Sequence, residues 1–272
     1  MTKEDKRLER ENDIKRRTNN KLLKPEFEKQ GIEVKFAKSV TYVYLDLKKD
    51  YSLESLKMIR KLKSNISFYG GSKEFELISH HKDLSEKIQN IVMVGNSKIK
   101  VFDFRKFTIA KTISLIDCDI ETPLFPVKLF RLDVDRCVFH NPVTYPKELT
   151  SFNVGEMSLE DLKMANSKQI VVSSVKLKIK ETKNSPLPTD IFTNVDFALL
   201  DGYSKSLKPI LDNWVLDELM YFGPLSNQNL EHLYSYPKDL DLDISEAKYD
   251  EALEEKLVKK KNIRVYYGEA EE

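Results

Sequence analysis

The sequence is poor in the residues that build loops around phosphates, staple small folds or ligate metals: 8 glycines, 2 cysteines, 4 histidines and 1 tryptophan in 272 residues. Gly70-Gly71 is the only glycine cluster, and a turn explains it better than a phosphate-cradling loop does. Cys118 and Cys137 are too few for a disulfide framework and lack the paired spacing of a zinc site. His80 and His81 diverge on either a strand or a helix, and His140 and His232 are isolated, so structural or solvent-exposed roles account for all four. No serine stands in a Gly-x-Ser-x-Gly elbow. These absences leave catalysis without visible machinery. The expectation is a chain that is not an enzyme, with no cofactor, no metal and no small-molecule substrate.

Charge of one sign is lacking as well. The 45 basic and 44 acidic residues leave a net charge of +1, which excludes a wholly basic nucleic-acid binder while leaving a local patch open. No apolar run approaches the roughly 20 residues that span a bilayer, and the opening Met-Thr-Lys-Glu-Asp-Lys-Arg has no apolar h-region. A soluble protein of the cytoplasm is expected, with the nucleus as the other compatible compartment and no membrane partner.

What is present is a period. Leu129-x-x-Leu132-x-Val134-x-x-Cys137-x-Phe139 is followed by Leu149-x-x-Phe152-x-Val154-x-x-Met157-x-Leu159. Ile88-x-x-Ile91-x-Met93-x-x-Asn96 and Ile113-x-Leu115-x-x-Cys118-x-Ile120 precede them. Weaker apolar-x-apolar pairs extend the series, giving anchors at 43, 66, 91, 113, 132, 152, 175, 195, 219, 240 and 263, spaced by about 22 residues. This pattern resembles the leucine-rich-repeat family. The resemblance implies an α/β solenoid, a horseshoe with a parallel concave sheet and helical or irregular convex returns, over residues 40–267. A charged arm and cap would occupy 1–39 and an acidic tail 268–272. An ordinary mixed α/β domain with evenly spaced strands is the competing reading.

Between anchors, Leu53, Leu56, Ile59 and Leu62 recur at helical spacing, as do Leu84 with Ile88 and Leu159 with Leu162, and 227–234 reads as a helical return. The proline-bearing stretches 121–128 and 140–148 read as irregular or 3₁₀. Cys118 and Cys137 fall at equivalent turns, where buried thiols that pack and accept weak hydrogen bonds account for them.

In such an architecture function lies in the side chains that alternate with the buried ones. The expected concave-face residues are Tyr44, Tyr69 and Val92 in the first part, then Asp133, Asp135, Asp196, Phe222, Asp239, Asp241 and Asp243. Aromatic and apolar groups beside carboxylates suit a protein partner carrying a basic segment. A second surface is the arm, where Arg7, Arg10, Lys15, Arg16, Arg17 and Lys21 could run along RNA or another phosphate surface. Two functions are therefore expected to compete: a non-enzymatic protein-interaction scaffold using the concave face, and a ribosome- or ribonucleoprotein-associated factor anchored to RNA through the arm.

Overall fold

The computed structural model of the chain describes residues 3–37, 40–95, 98–141, 143–146, 149–157, 170–179, 189, 192–203, 205–245, 257 and 259–266. Asn96, Leu159, Leu162 and the acidic tail 268–272 lie outside the described residues. The chain forms two compact units, 1–129 and 130–272. It is of the α/β class, and its strands are mostly parallel.

The first unit opens with helix α1 (Lys3–Lys29), which ends at Gly31, a glycine with φ of +72° that lets the chain turn back. Strand β1 (Ile32–Phe36) then pairs antiparallel with β2 (Val40–Leu45). Strands β3 (Asn65–Gly71), β4 (Ile88–Val94) and β6 (Thr112–Ile116) follow in parallel, each beside its predecessor. Alternation sets the two faces. Ile32 and Val34, Val43, Ile66 and Phe68, Ile91 and Met93, and Ile113 and Leu115 point into the core. Helices α2 (Leu53–Lys57), α3 (Ser72–Ser79) and α4 (Lys82–Ser85) lie in the connections between these strands, and Phe75 of α3 meets Phe68 edge-on with ring centroids 5.1 Å apart.

One connection between strands is itself a strand layer. Strand β5 (Lys98–Asp103) pairs parallel with β7 (Asp119–Leu124), which corrects the expectation of an irregular return from residue 121. Pro123 stands opposite Phe102 inside that ladder. Its fixed φ is compatible with extended backbone, so proline here does not exclude a strand. Gly70 and Gly71 likewise end β3 instead of forming a turn, and a Cβ on Gly70 would meet Phe68 at 3.0 Å and Leu45 at 3.2 Å.

The second unit carries seven parallel strands in sequence order: β8 (Arg131–Asp135), β10 (Ser151–Met157), β12 (Ser174–Ile179), β14 (Phe197–Asp201), β15 (Glu218–Phe222), β16 (Leu240–Asp243) and β17 (Ile263–Tyr266). The short strands β9 (Val138–Phe139), β11 (Ile170–Val171) and β13 (Phe192–Thr193) lie in the connections. Leu132, Phe152, Val175, Ala198, Leu219 and Leu242 form one buried row, each opposite the next in register. The helices Lys208–Asn213 and Asn227–Tyr234 connect the later strands, the second starting as the spacing predicts, with Ser226 accepting from the Asn229 amide. Trp214 is buried and donates its indole N–H to the Thr189 carbonyl at 3.1 Å.

The two cysteines close matching turns. Each follows a residue in the left-handed region, Asp117 with φ of 53° and Arg136 with φ of 49°, and each thiol sits 3.3 Å from the carbonyl oxygen two residues before it. A carbonyl oxygen can only accept, so in these two contacts the sulfur donates its proton.

Candidate functional site

In the first unit the side of the sheet away from the core carries Tyr42 and Tyr44 on β2, Tyr69 on β3, Val92 and Val94 on β4, and Ile116 on β6, all half-buried or exposed. Register makes them contiguous. Tyr44 stands opposite Tyr69, Tyr69 opposite Val92, and Val94 opposite Ile116. The Tyr44 ring lies 6.3 Å from Tyr42, nearly parallel, and 6.0 Å from Tyr69. Lys35 on β1 holds its ammonium 5.0 Å from the centre of the Tyr44 ring. The same ammonium lies 3.0 Å from the Glu33 carboxylate, whose hydrogen bond and charge hold the lysine above its ordinary range. Beyond that pair, this face is aromatic and aliphatic with uncharged polar residues interspersed, Ser67 and Ser114 among them and Asn65, Asn90 and Thr112 toward the strand starts.

The open face of the second unit is more polar, and its carboxylates are less exposed electrostatically than alternation alone implies. Asp133 accepts from Arg131 Nε at 2.8 Å and from Asn153 Nδ2 at 2.5 Å. Asp135 pairs with Arg136 at 2.7 Å, and Asp241 receives Arg264 through Nε at 2.5 Å and Nη2 at 2.8 Å. Arg131 is two residues from Asp133 and so shares its face, while Arg264 is the register partner of Asp241. Asp243 caps the following turn by accepting from the Ser245 amide at 2.9 Å. Asp239 stands one residue ahead of β16 and is exposed.

Asp196 departs from its expected place. It precedes β14, where its carbonyl accepts the amides of Asp217 and Glu218 at 2.8 and 3.1 Å, and the open face at this strand belongs to Phe197, Leu199 and Asp201. The pair Val195-x-Phe197 misled the register because Val195 is buried just outside the strand while Phe197 points the other way. Next to these, Met220 and Phe222 on β15 complete an apolar group, with Leu199 opposite Met220 and Asp201 opposite Phe222.

The arm forms the body of α1. From Glu4 to Asn19 every described side chain except Asp13 is exposed, including Arg7, Arg10 and Lys15; Arg16 and Arg17 lie on the same stretch of helix, and Lys21 is exposed a turn further on. Among the described residues, the buried side chains of the helix lie in its second half. Phe27 is fully buried and Asn20 2% exposed, the latter donating to Thr41 Oγ1 and Ser64 Oγ at 3.2 Å each and accepting from the Lys63 amide at 3.1 Å.

No family model, curated protein or solved structure matches this chain. Among the described residues no group of three histidine, cysteine, aspartate or glutamate side chains converges to hold a metal ion, and no helix is long and apolar enough to cross a membrane.

Proposed function

We propose that the chain is a non-enzymatic protein-interaction scaffold of the leucine-rich-repeat type, a solenoid that binds a protein partner through the open faces of its strands. One observation carries the reading: the row Tyr44, Tyr69 and Val92, with Val94 and Ile116 beside it, on the solvent side of parallel strands. Parallel sheets normally bury both faces, so an aromatic and aliphatic face left open is a surface that gains by being covered. Tyrosine suits that use, offering a large rigid ring with a polar tip and little entropy to lose. The repeat spacing and the pairing of each main strand with its successor support the solenoid. The experiment is purification of the tagged full chain at native salt beside a Tyr44→Ala/Tyr69→Ala/Val92→Ser variant. Partners held by the wild type are expected to be lost from the variant at a nearly unchanged melting temperature.

A second reading, a ribosome- or ribonucleoprotein-associated factor, is favoured by the exposed first half of α1, which presents Arg10, Lys15 and Lys21 on a preformed helix. Its strength is limited by interleaved acids, since Arg7 already faces Glu11 at 3.6 Å. If the arm engages single-stranded RNA, Arg10→Ala/Lys15→Ala/Lys21→Ala flattens the dependence of log affinity on log salt by about 0.7 for each phosphate no longer neutralised. An unchanged slope removes this reading.

A further inference from the structure

We infer that the open face of β14–β16 is the docking site for a polypeptide segment that carries apolar side chains flanked by lysine or arginine. This rests on the reading of the strand faces as protein-binding surfaces and names the class of partner at one of them. Four apolar side chains, Phe197, Leu199, Met220 and Phe222, stand together on two adjacent strands. Main-chain spacing of about 4.8 Å between strands brings such neighbours into mutual reach.

Carboxylates surround this group. Glu218 lies opposite Phe197 on one side and Asp241 on the other, Met220 lies opposite Asp243, and Asp239 is exposed at the entrance to β16. Like charges opposite one another on a sheet face, as Glu218 and Asp241 are, oppose folding. Two cations on this face are engaged within it: Arg264 is taken by Asp241, and Lys176 lies 5.5 Å from the Phe197 ring. Glu218 and Asp239 make no ion pair among the described residues. An apolar centre rimmed by such carboxylates complements a segment with the inverse pattern, apolar anchors in the middle and cations at the edges. It repels nucleic acid and anionic lipid. The face around Tyr44 and Tyr69 carries the mutually paired Lys35 and Glu33 in place of a carboxylate rim, so the two surfaces select different chemistries.

The probe is a fluorescein-labelled helical peptide of leucine and lysine at three- and four-residue spacing, titrated into the full chain and read by anisotropy. Two control peptides replace every lysine by glutamate or every leucine by glycine. The leucine–lysine peptide is expected to bind at least about tenfold more tightly than either control, and progressively less tightly as salt is raised. Glu218→Lys/Asp239→Lys is expected to weaken it by about tenfold or more, Glu218→Gln/Asp239→Asn by less, and Met220→Ser/Phe222→Ser by about tenfold, all in chains that melt as the wild type does. Tyr44→Ala/Tyr69→Ala leaves the titration unchanged. Equal binding of the glutamate peptide, indifference to the charge-reversed pair, or a loss that follows Tyr44 and Tyr69 instead overturns the inference. The last outcome leaves the scaffold reading standing. Self-association of the wild type that the charge-reversed pair abolishes also overturns it, because the occupant is then a second copy of this chain.

Discussion

Leu132 and Asp133 are adjacent in sequence and opposite in environment, and the difference is a matter of strand parity. Leu132 is fully buried in the row that includes Phe152 and Val175, whereas Asp133 is half-buried and held by Arg131 and Asn153 on the open side. Leu132→Asp places a carboxylate among apolar neighbours and is expected to cost about 4 kcal/mol or more, enough to unfold the second unit at ordinary temperature. Asp133→Asn keeps the shape and weakens two polar contacts, so a loss within about 1 kcal/mol is expected. Thermal melting compares the two, and equal losses contradict the assignment of faces. Tyr221 is the other informative residue. Its buried hydroxyl donates to the carbonyl oxygens of Tyr203 at 2.5 Å and Pro224 at 3.1 Å, and burial pushes its pKa up to about 12. An unfolded tyrosine titrates near 10, so this group's contribution to stability is complete below about pH 10 and is lost as pH rises through about 12. Tyr221→Phe should lower stability by about 1 kcal/mol at neutral pH and make the alkaline decline shallower. Some decline persists, because burial also raises Tyr145 and Tyr236. Melting profiles that keep the full wild-type slope in the phenylalanine variant would show that Tyr221 is not the titrating group.

At the scale of elements, α1 shows what charge patterning hides. Its described first-half side chains are exposed apart from the half-buried Asp13, but Asn20 and Phe27 anchor the second half, so the chain 1–30 is not separable at Gly31. Removing residues 1–18 should leave the melting temperature essentially unchanged. Removing residues 1–30 should cost several kcal/mol, about what deleting one fully buried phenylalanine costs. Similar stability of the two truncations contradicts the docking of the second half. Legibility follows the same line between strong and weak local signals. Val43, Ile91, Ile113, Leu132, Phe152, Val175 and Leu219 were readable as core positions because each sits in an apolar alternation bounded by polar residues. The anchors at Ile66, Leu240 and Ile263 lie two residues ahead of the row formed by Phe68, Leu242 and Val265, a slip that keeps the face because side chains alternate with period two. At β14 the slip was odd and turned the face over. Ala198 carries the buried position there, and its single methyl gives a weaker apolar signal than the flanking Val195 and Phe197. The arginine partners of Asp133, Asp135 and Asp241 were less legible still, since pairing depends on rotamers and neighbouring strands.

At the scale of the whole molecule, the long-range order is a succession of parallel strands whose inward residues make the core and whose outward residues differ between the two units. The described strand faces within residues 1–129 present tyrosine and aliphatic side chains with few charges, and those within residues 130–272 present apolar groups among carboxylates and arginines. Both faces are suited to covering by another polypeptide. The measurement that tests this most directly is site-specific photo-crosslinking in the full chain, with benzoylphenylalanine placed at Tyr69 on the open face or at Leu77, which is 37% exposed on α3. The account predicts a discrete protein adduct from position 69 that disappears with Val92→Ser and Tyr44→Ala, and none of that mass from position 77. Adducts from position 77 alone, with position 69 silent, would contradict it.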